Sequence, residues 1–216
     1  VIKFAFNVNI RKAYAEEFIQ RINDAYNSYP HKRISIVVHS FGSIVLASAL
    51  QMAERINCRL QIDSIILNGS ILPNNFKWDV YLKKGKQHGV TINRILNICG
   101  AKDVWPVIAK HWVRQAGHSG AFFFSDNNTK NLINIRLLDQ SHSSILDVKY
   151  VSSIWSKFLY SSNYIPKIPP TPSSTRVKII DYLSRVIKIT SKFACYAGVF
   201  YILYKAAYYC IDKFIG

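Results

Sequence analysis

Ser40, Asp103 and His142 are the residues of this chain whose types and order could carry out nucleophilic chemistry. A serine hydroxyl attacks only when a neighbouring base takes its proton, and that base needs a carboxylate to fix its tautomer. Each of the three follows a run with the composition of a strand: residues 34–38, 92–99 and 132–138. Ser40 lies in Val37-Val38-His39-Ser40-Phe41-Gly42, where a β-branched run breaks into an apolar stretch (Ile44 onward) that reads as helix. A strand that turns sharply into a helix with serine at the corner has the layout of a nucleophile elbow. Gly42 supplies the small residue needed two places after the serine. Val38 stands two places before it, where glycine is usual, and is expected to crowd the turn.

Each residue also has a plainer use. Ser40 suits a helix N-cap, Asp103 could cap a helix beginning near Val107, and His142 could be an ordinary loop residue. Their order at three strand ends favours chemistry. The competitors are weaker. Asp79 lies in an irregular segment, Asp139 is too near His142 in sequence, and Asp63 opens a strand at the opposite end of a sheet. His39 is expected to point away from the corner and support the turn. His111 and His118 could line a cleft, but no spacing selects them.

The elements needed to position these residues follow in order. Residues 1–8 read as a strand, and Asn9 as the cap of a helix. In that helix Ala13, Phe18, Ile22, Ala25 and Tyr26 face inward, while Arg11, Glu16, Glu17, Arg21 and Asp24 face out. Pro30 ends it. The strand at 34–38 and a helix from Phe41 to about Ile56 come next, then a strand at 62–67 closed by Asn68-Gly69-Ser70. Residues 71–91, with Lys83-Lys84-Gly85-Lys86, read as a lid-like irregular segment too polar for the core, or simply a solvated one. After the strand at 92–99, a helix is expected from Val107 to Ala116, then a Gly/His-rich loop at 117–120, the strand at 132–138 and a helix at 145–160. Alternation of strands and helices with short turns specifies an α/β fold, a three-layer sandwich around a mainly parallel sheet. Ligands bind such sheets at the carboxyl ends of the strands. That rule selects the loops at Ser40, Gly69, Asp103 and His142 without reference to any motif.

Over residues 1–161 the chain resembles the α/β-hydrolase superfamily, its lipase/esterase-like and acyl-transferring members with a His-Ser-x-Gly elbow. The resemblance rests on Val37 to Gly42, on Ile66-Leu67-Asn68-Gly69-Ser70, on Cys99-Gly100-Ala101-Lys102-Asp103 and on Ser141-His142-Ser143. It implies Ser40 as nucleophile, His142 as base and then acid, Asp103 as the group that orients it, and the Phe41 N–H as an oxyanion donor. It also implies a second donor from a loop after an earlier strand, and no such stretch precedes residues 1–8. The sheet is therefore expected to be short at its N-terminal side. The implied reaction is cleavage of a lipid or other acyl ester through an acyl-enzyme on Ser40, without cofactor or metal. The alternative is a catalytically degenerate module that binds or scaffolds.

Half of the 216 residues are hydrophobic, enough for a substantial core. The formal charge of +16 favours an anionic partner, unless it only reflects a Lys/Asn/Ile-rich composition. No zinc-finger spacing and no basic run interleaved with aromatics accompanies it, so nucleic acid is not the expected partner. Cys58, Cys99, Cys195 and Cys210 form no C-x-x-C pair, which suits free thiols in a reducing compartment. No signal-peptide pattern opens the chain, and a start at Val1 suits a fragment.

Residues 162–175, with Pro166, Pro169, Pro170 and Pro172, read as a linker. Residues 176–216 form a basic, amphipathic and then apolar tail. Its run from Phe193 to Ile211, interrupted by Lys205, is expected to span a membrane, lie on one as a helix, or pack on protein. Arg185, Lys188 and Lys192 before the run outnumber Lys213 beyond it, so a spanning tail would leave the preceding domain cytoplasmic.

Overall fold

The computed structural model describes residues 7–82, 89–125, 130–166, 168, 174, 175, 177–183, 185 and 186. Its centre is a four-stranded sheet of β1 (Ile34–His39), β2 (Leu60–Asn68), β3 (Val90–Gly100) and β4 (Leu132–Leu137). The strands run parallel in the order β1-β2-β3-β4. This is an α/β fold. Parallel neighbours need crossovers, and α1 (Val8–Ser28), α2 (Gly42–Arg55), α3 (Trp105–Trp112) and α4 (Ser119–Phe122) precede or link the strands. Three abutting helical pieces, Val148–Tyr150, Val151–Trp155 and Ser156–Tyr160, follow β4 and are taken together as α5.

Strand alternation assigns the two faces. Ile65 and Leu67 join Ile36, Val38 and Ile95 under Ala15 and Ile19 of α1 and Leu46 and Leu50 of α2. Ile66 joins Leu96, Ile98 and Ile135 on the other face, under Ile154 and Phe158 of α5. Helices therefore cover both faces, which is why Ile65-Ile66-Leu67 of β2 and Ile95-Leu96 of β3 are apolar at successive positions instead of alternating ones.

Several sequence expectations are corrected. Val8 opens α1 instead of closing a strand, and residues 1–6 lie outside the described residues. The cap of α1 is Asn7, whose Oδ1 accepts from the N–H groups of Asn9 and Ile10. Ala13 is exposed, while Arg11 turns inward and is buried, its guanidinium donating at 3.0 Å to the Arg114 carbonyl. A long side chain with a carbonyl within reach overrides a face assigned from apolar spacing alone.

The segment after β2 is core, not lid. Ile71, Leu72, Trp78, Tyr81 and Leu82 are all buried. Trp78 packs between Phe76 (ring centroids 4.7 Å apart) and Phe124 (5.6 Å, edge-on). The lysine run that made this segment read as polar begins at Lys83, and residues 83–88 lie outside the described residues.

The described residues of 175–186 are helical. Val177 is buried with Val107 and Ala121, against Val104, Phe122 and Ile180. No helix among the described residues is long and apolar enough to cross a membrane, and the run 193–211 lies outside them.

Candidate active site

The site is built from the four corners where β1, β2, β3 and β4 end. At the first, Ser40 adopts φ +52°, a left-handed conformation that is strained for a residue with a Cβ. Three bonds hold it there. Its N–H donates to the Asn68 carbonyl at 3.0 Å, and its carbonyl accepts from the Ser43 N–H at 3.0 Å and the Ser43 Oγ at 2.6 Å. Ser43 Oγ in turn accepts from the Ile71 N–H at 3.2 Å. The corner is thus pinned to the end of β2 and to the chain beyond it. Helix α2 starts two residues later with no side-chain cap, so its positive end lies at the serine.

Val38 does not crowd this turn. A Cβ added to Gly42 would stand 3.5 Å from Val38 Cβ, an ordinary contact, so valine would fit here even beside a residue with a Cβ.

At the third corner, Asp103 is wholly buried. Its Oδ1 accepts from the Trp105 N–H at 3.1 Å, and its Oδ2 lies 2.9 Å from His142 Nδ1. The loops carrying the pair are joined through their backbones: the Ala101 N–H donates to Leu137, and the Lys102 N–H to Gln140. Gly100 makes this possible, since a Cβ there would stand 2.5 Å from the Gln140 carbonyl oxygen. A carboxylate facing Nδ1 makes that nitrogen the donor and leaves Nε2 with the lone pair. Such an imidazole can accept a proton at Nε2.

Gly69 closes the second corner at φ +53°. A Cβ on it would meet Asp103 Oδ2 at 2.9 Å and His142 Nδ1 at 3.0 Å. Beneath it, the Gly120 N–H donates to the Ser70 carbonyl at 2.7 Å, and Ser119 Oγ donates to Ser70 Oγ at 3.0 Å.

The structure therefore joins Asp103 to His142 directly. Ser40 Oγ and His142 Nε2 make no hydrogen bond among the described residues, to each other or to another group. Phe41 occupies the turn between Ser40 and α2, in helical conformation. The competing carboxylates lie elsewhere: Asp139 pairs with Lys102, and Asp63 with Arg33. Asp63 and Arg33 line a pocket with Ile34, Ile62 and Thr91, at the N-terminal end of the strands.

His39 was expected to face away, and it does not. Its ring centroid lies 4.4 Å from that of His142, and its Nε2 lies 2.9 Å from the His142 carbonyl oxygen. Burial lowers its pKa, so it donates to that carbonyl as a neutral ring. Alternation along β1 stops at Ser40, whose positive φ redirects the chain, so strand parity gave the wrong side. His118 and His111 belong to a different cluster with Lys110, Asn74 and Asp181. Ser43 is the site residue that the sequence did not single out, while His39 and Asn68 are named there without these contacts. Only the run Asn68-Gly69-Ser70 carried a signal, as punctuation at a strand end.

No group of His, Cys, Asp and Glu among the described residues is arranged to hold a metal ion. No family model and no curated protein matches the chain. Among solved structures, the product of the gene lin2722 from Listeria innocua is similar over 73% of this chain and 69% of that one, with a TM-score of 0.44 and 12% identity.

Proposed function

We propose that the chain is a membrane-associated serine hydrolase of α/β-hydrolase type that cleaves an ester, of a lipid or another acyl group. One observation carries the reading: a buried Asp103 bonded to His142 at the strand ends, with a serine in left-handed conformation at the end of β1, directly after His39, whose ring lies 4.4 Å from that of His142. In the first half-reaction Ser40 Oγ attacks the ester carbonyl carbon while its proton passes to His142 Nε2. The resulting oxyanion faces the start of α2, with the Phe41 N–H as donor. Collapse expels the alcohol, which takes the proton from His142 and leaves an acyl-serine. Water then attacks the acyl group with His142 again as base, releasing the acid and restoring Ser40. The hydrogen bond between Ser40 Oγ and His142 Nε2 has to form as substrate binds, since catalytic contacts commonly tighten only in the complex.

A second reading, a hydrolase-like module that binds without catalysis, draws on the same missing bond. A series of p-nitrophenyl esters of increasing acyl length separates the two. The first reading expects turnover by the wild-type chain and a loss of at least about 10³ on Ser40→Ala. Absence of turnover on every ester supports the second.

A further inference from the structure

We propose that the outward face of the 175–186 helix docks on an anionic lipid membrane and brings the rim of the Ser40–Asp103–His142 site to that surface. The inference rests on the reading of a membrane-associated hydrolase and assigns the surface that does the associating.

The helix has two faces of different character. Its inner face is committed to the body of the protein: Val177 is buried, Ile180 packs beside Val107, and Asp181 faces Lys110 and His111 of α3 at 3.7 and 3.3 Å. Its outer face carries Ile179, Tyr182, Leu183 and Val186, which are 52%, 67%, 49% and 38% exposed. Spacing of i, i+3, i+4 and i+7 sets these four in one stripe. Such a stripe normally faces a core, and here it faces solvent. Contiguous exposed apolar surface of this kind marks an interaction site.

Charge selects the occupant. Lys178 is exposed on the same helix, Arg185 is exposed while its guanidinium donates to Asp181, and the sequence continues with Lys188 and Lys192 before the apolar run 193–211. An apolar stripe on a basic helix fits acyl chains beneath anionic headgroups. A second copy would set the same cations, on a chain of net charge +16, against one another. Tyrosine suits the polar boundary of a bilayer, where its ring is buried and its hydroxyl hydrated.

Anchorage ties the stripe to the site. The Ser174 N–H donates at 3.2 Å to the carbonyl of Ala101, two residues before Asp103. Trp105, which opens α3 and is 57% exposed, has its ring 6.4 Å from that of His142. The helix thus starts from the corner that holds the catalytic pair, beside an exposed indole suited to the same interface.

The test uses the full chain with Cys58, Cys195 and Cys210 changed to serine and an environment-sensitive fluorophore on Leu183→Cys, repeated at Ile179→Cys. A thermal melt confirms that each labelled chain is folded. Emission should shift to the blue with vesicles of phosphatidylcholine and phosphatidylserine and stay unshifted with phosphatidylcholine alone. In unlabelled protein, Ile179→Ser with Leu183→Ser should lower partition to the anionic vesicles roughly tenfold. An unshifted probe on anionic vesicles overturns the proposal. So does a shift without vesicles that grows with protein concentration, which would assign the face to a second copy. A vesicle-free shift independent of concentration also overturns it, because the face would then be covered by the chain itself. Labelling of Ser40 by a fluorophosphonate without vesicles is read in parallel, so failure of docking is told apart from failure of the hydrolase reading.

Discussion

His142 Nδ1 and Asp103 Oδ2 lie 2.9 Å apart, joined across 39 residues of sequence. The carboxylate is fully buried, so its remaining lone pairs are met by protein, here by the Trp105 N–H. A buried carboxylate facing one imidazole nitrogen fixes the tautomer without competition from water. Replacing Asp103 with Asn keeps the shape and reverses the preference, because an amide N–H facing Nδ1 favours the other tautomer. On the proposed mechanism, Asp103→Asn lowers kcat for ester hydrolysis by about 10⁴ with little change in KM. Steady-state kinetics on a p-nitrophenyl ester, with circular dichroism to confirm the fold, checks this.

Two glycines should respond in opposite ways. A methyl at Gly69 would meet Asp103 Oδ2 at 2.9 Å and His142 Nδ1 at 3.0 Å, at a backbone φ of +53°. Gly69→Ala should therefore displace the pair and lower activity about 10²-fold or more. A methyl at Gly42 would find Val38 Cβ at 3.5 Å. Gly42→Ala should leave activity within about threefold and Tm within a few degrees. Kinetics and thermal melts of the two variants, side by side, test whether the contact pattern governs the corner.

Much of this fold could be read from the sequence because its strands are buried on both faces. Ile65-Ile66-Leu67 and Ile95-Leu96, with Ile98 and Cys99, need no alternating pattern and stand out as short apolar stretches. The corners at Ser40, Asp103 and His142 were legible for a different reason, since parallel strands present their carboxyl ends together. What escaped was carried by backbone geometry. Ser43 and Asn68 act on the carbonyl and N–H of Ser40, interactions that leave no periodic signal. His39 was assigned by strand parity, which fails where the positive φ of Ser40 ends the strand. Residues 71–82 adjoin the lysines at 83, 84 and 86, whose charge hides a core segment in which Trp78 is among the largest fully buried side chains.

His118 gives the fold a dependence on acid. Burial, then the neighbouring charges of Lys110, Arg185 and His111, push its pKa down to about 4. Lys110 Nζ donates to its Nε2 at 2.8 Å, and its Nδ1 bonds Asn74, an arrangement that suits a neutral ring. The folded pKa lies below the ordinary value near 6.5, so the unfolded chain takes up this proton first. The associated stability is complete above about pH 6.5 and is lost as pH falls toward 4. Tm measured from pH 7 to 4.5 should fall, and His118→Gln should flatten that fall. An identical slope in the variant contradicts this account of the cluster.

Cys99 should be chemically silent in the native protein. Complete burial is the main force raising its pKa to about 12, so almost no thiolate exists at neutral pH. Cys58 is only half-buried. Iodoacetamide at pH 8 should alkylate Cys58 in minutes to hours and leave Cys99 intact until denaturant is added. Peptide mass spectrometry reads both sites, and native alkylation of Cys99 at the rate of Cys58 contradicts the buried assignment.

The hydrolase reading stands on whether Ser40 is an activated nucleophile. The most direct measurement is incubation of the folded wild-type chain with a fluorophosphonate, followed by digestion and mass mapping of the adduct. The account predicts one phosphonylated residue, Ser40, no adduct in Ser40→Ala, and labelling slowed by at least about 10² in His142→Ala. A wild-type chain that stays unlabelled, or an adduct that persists in Ser40→Ala, contradicts it.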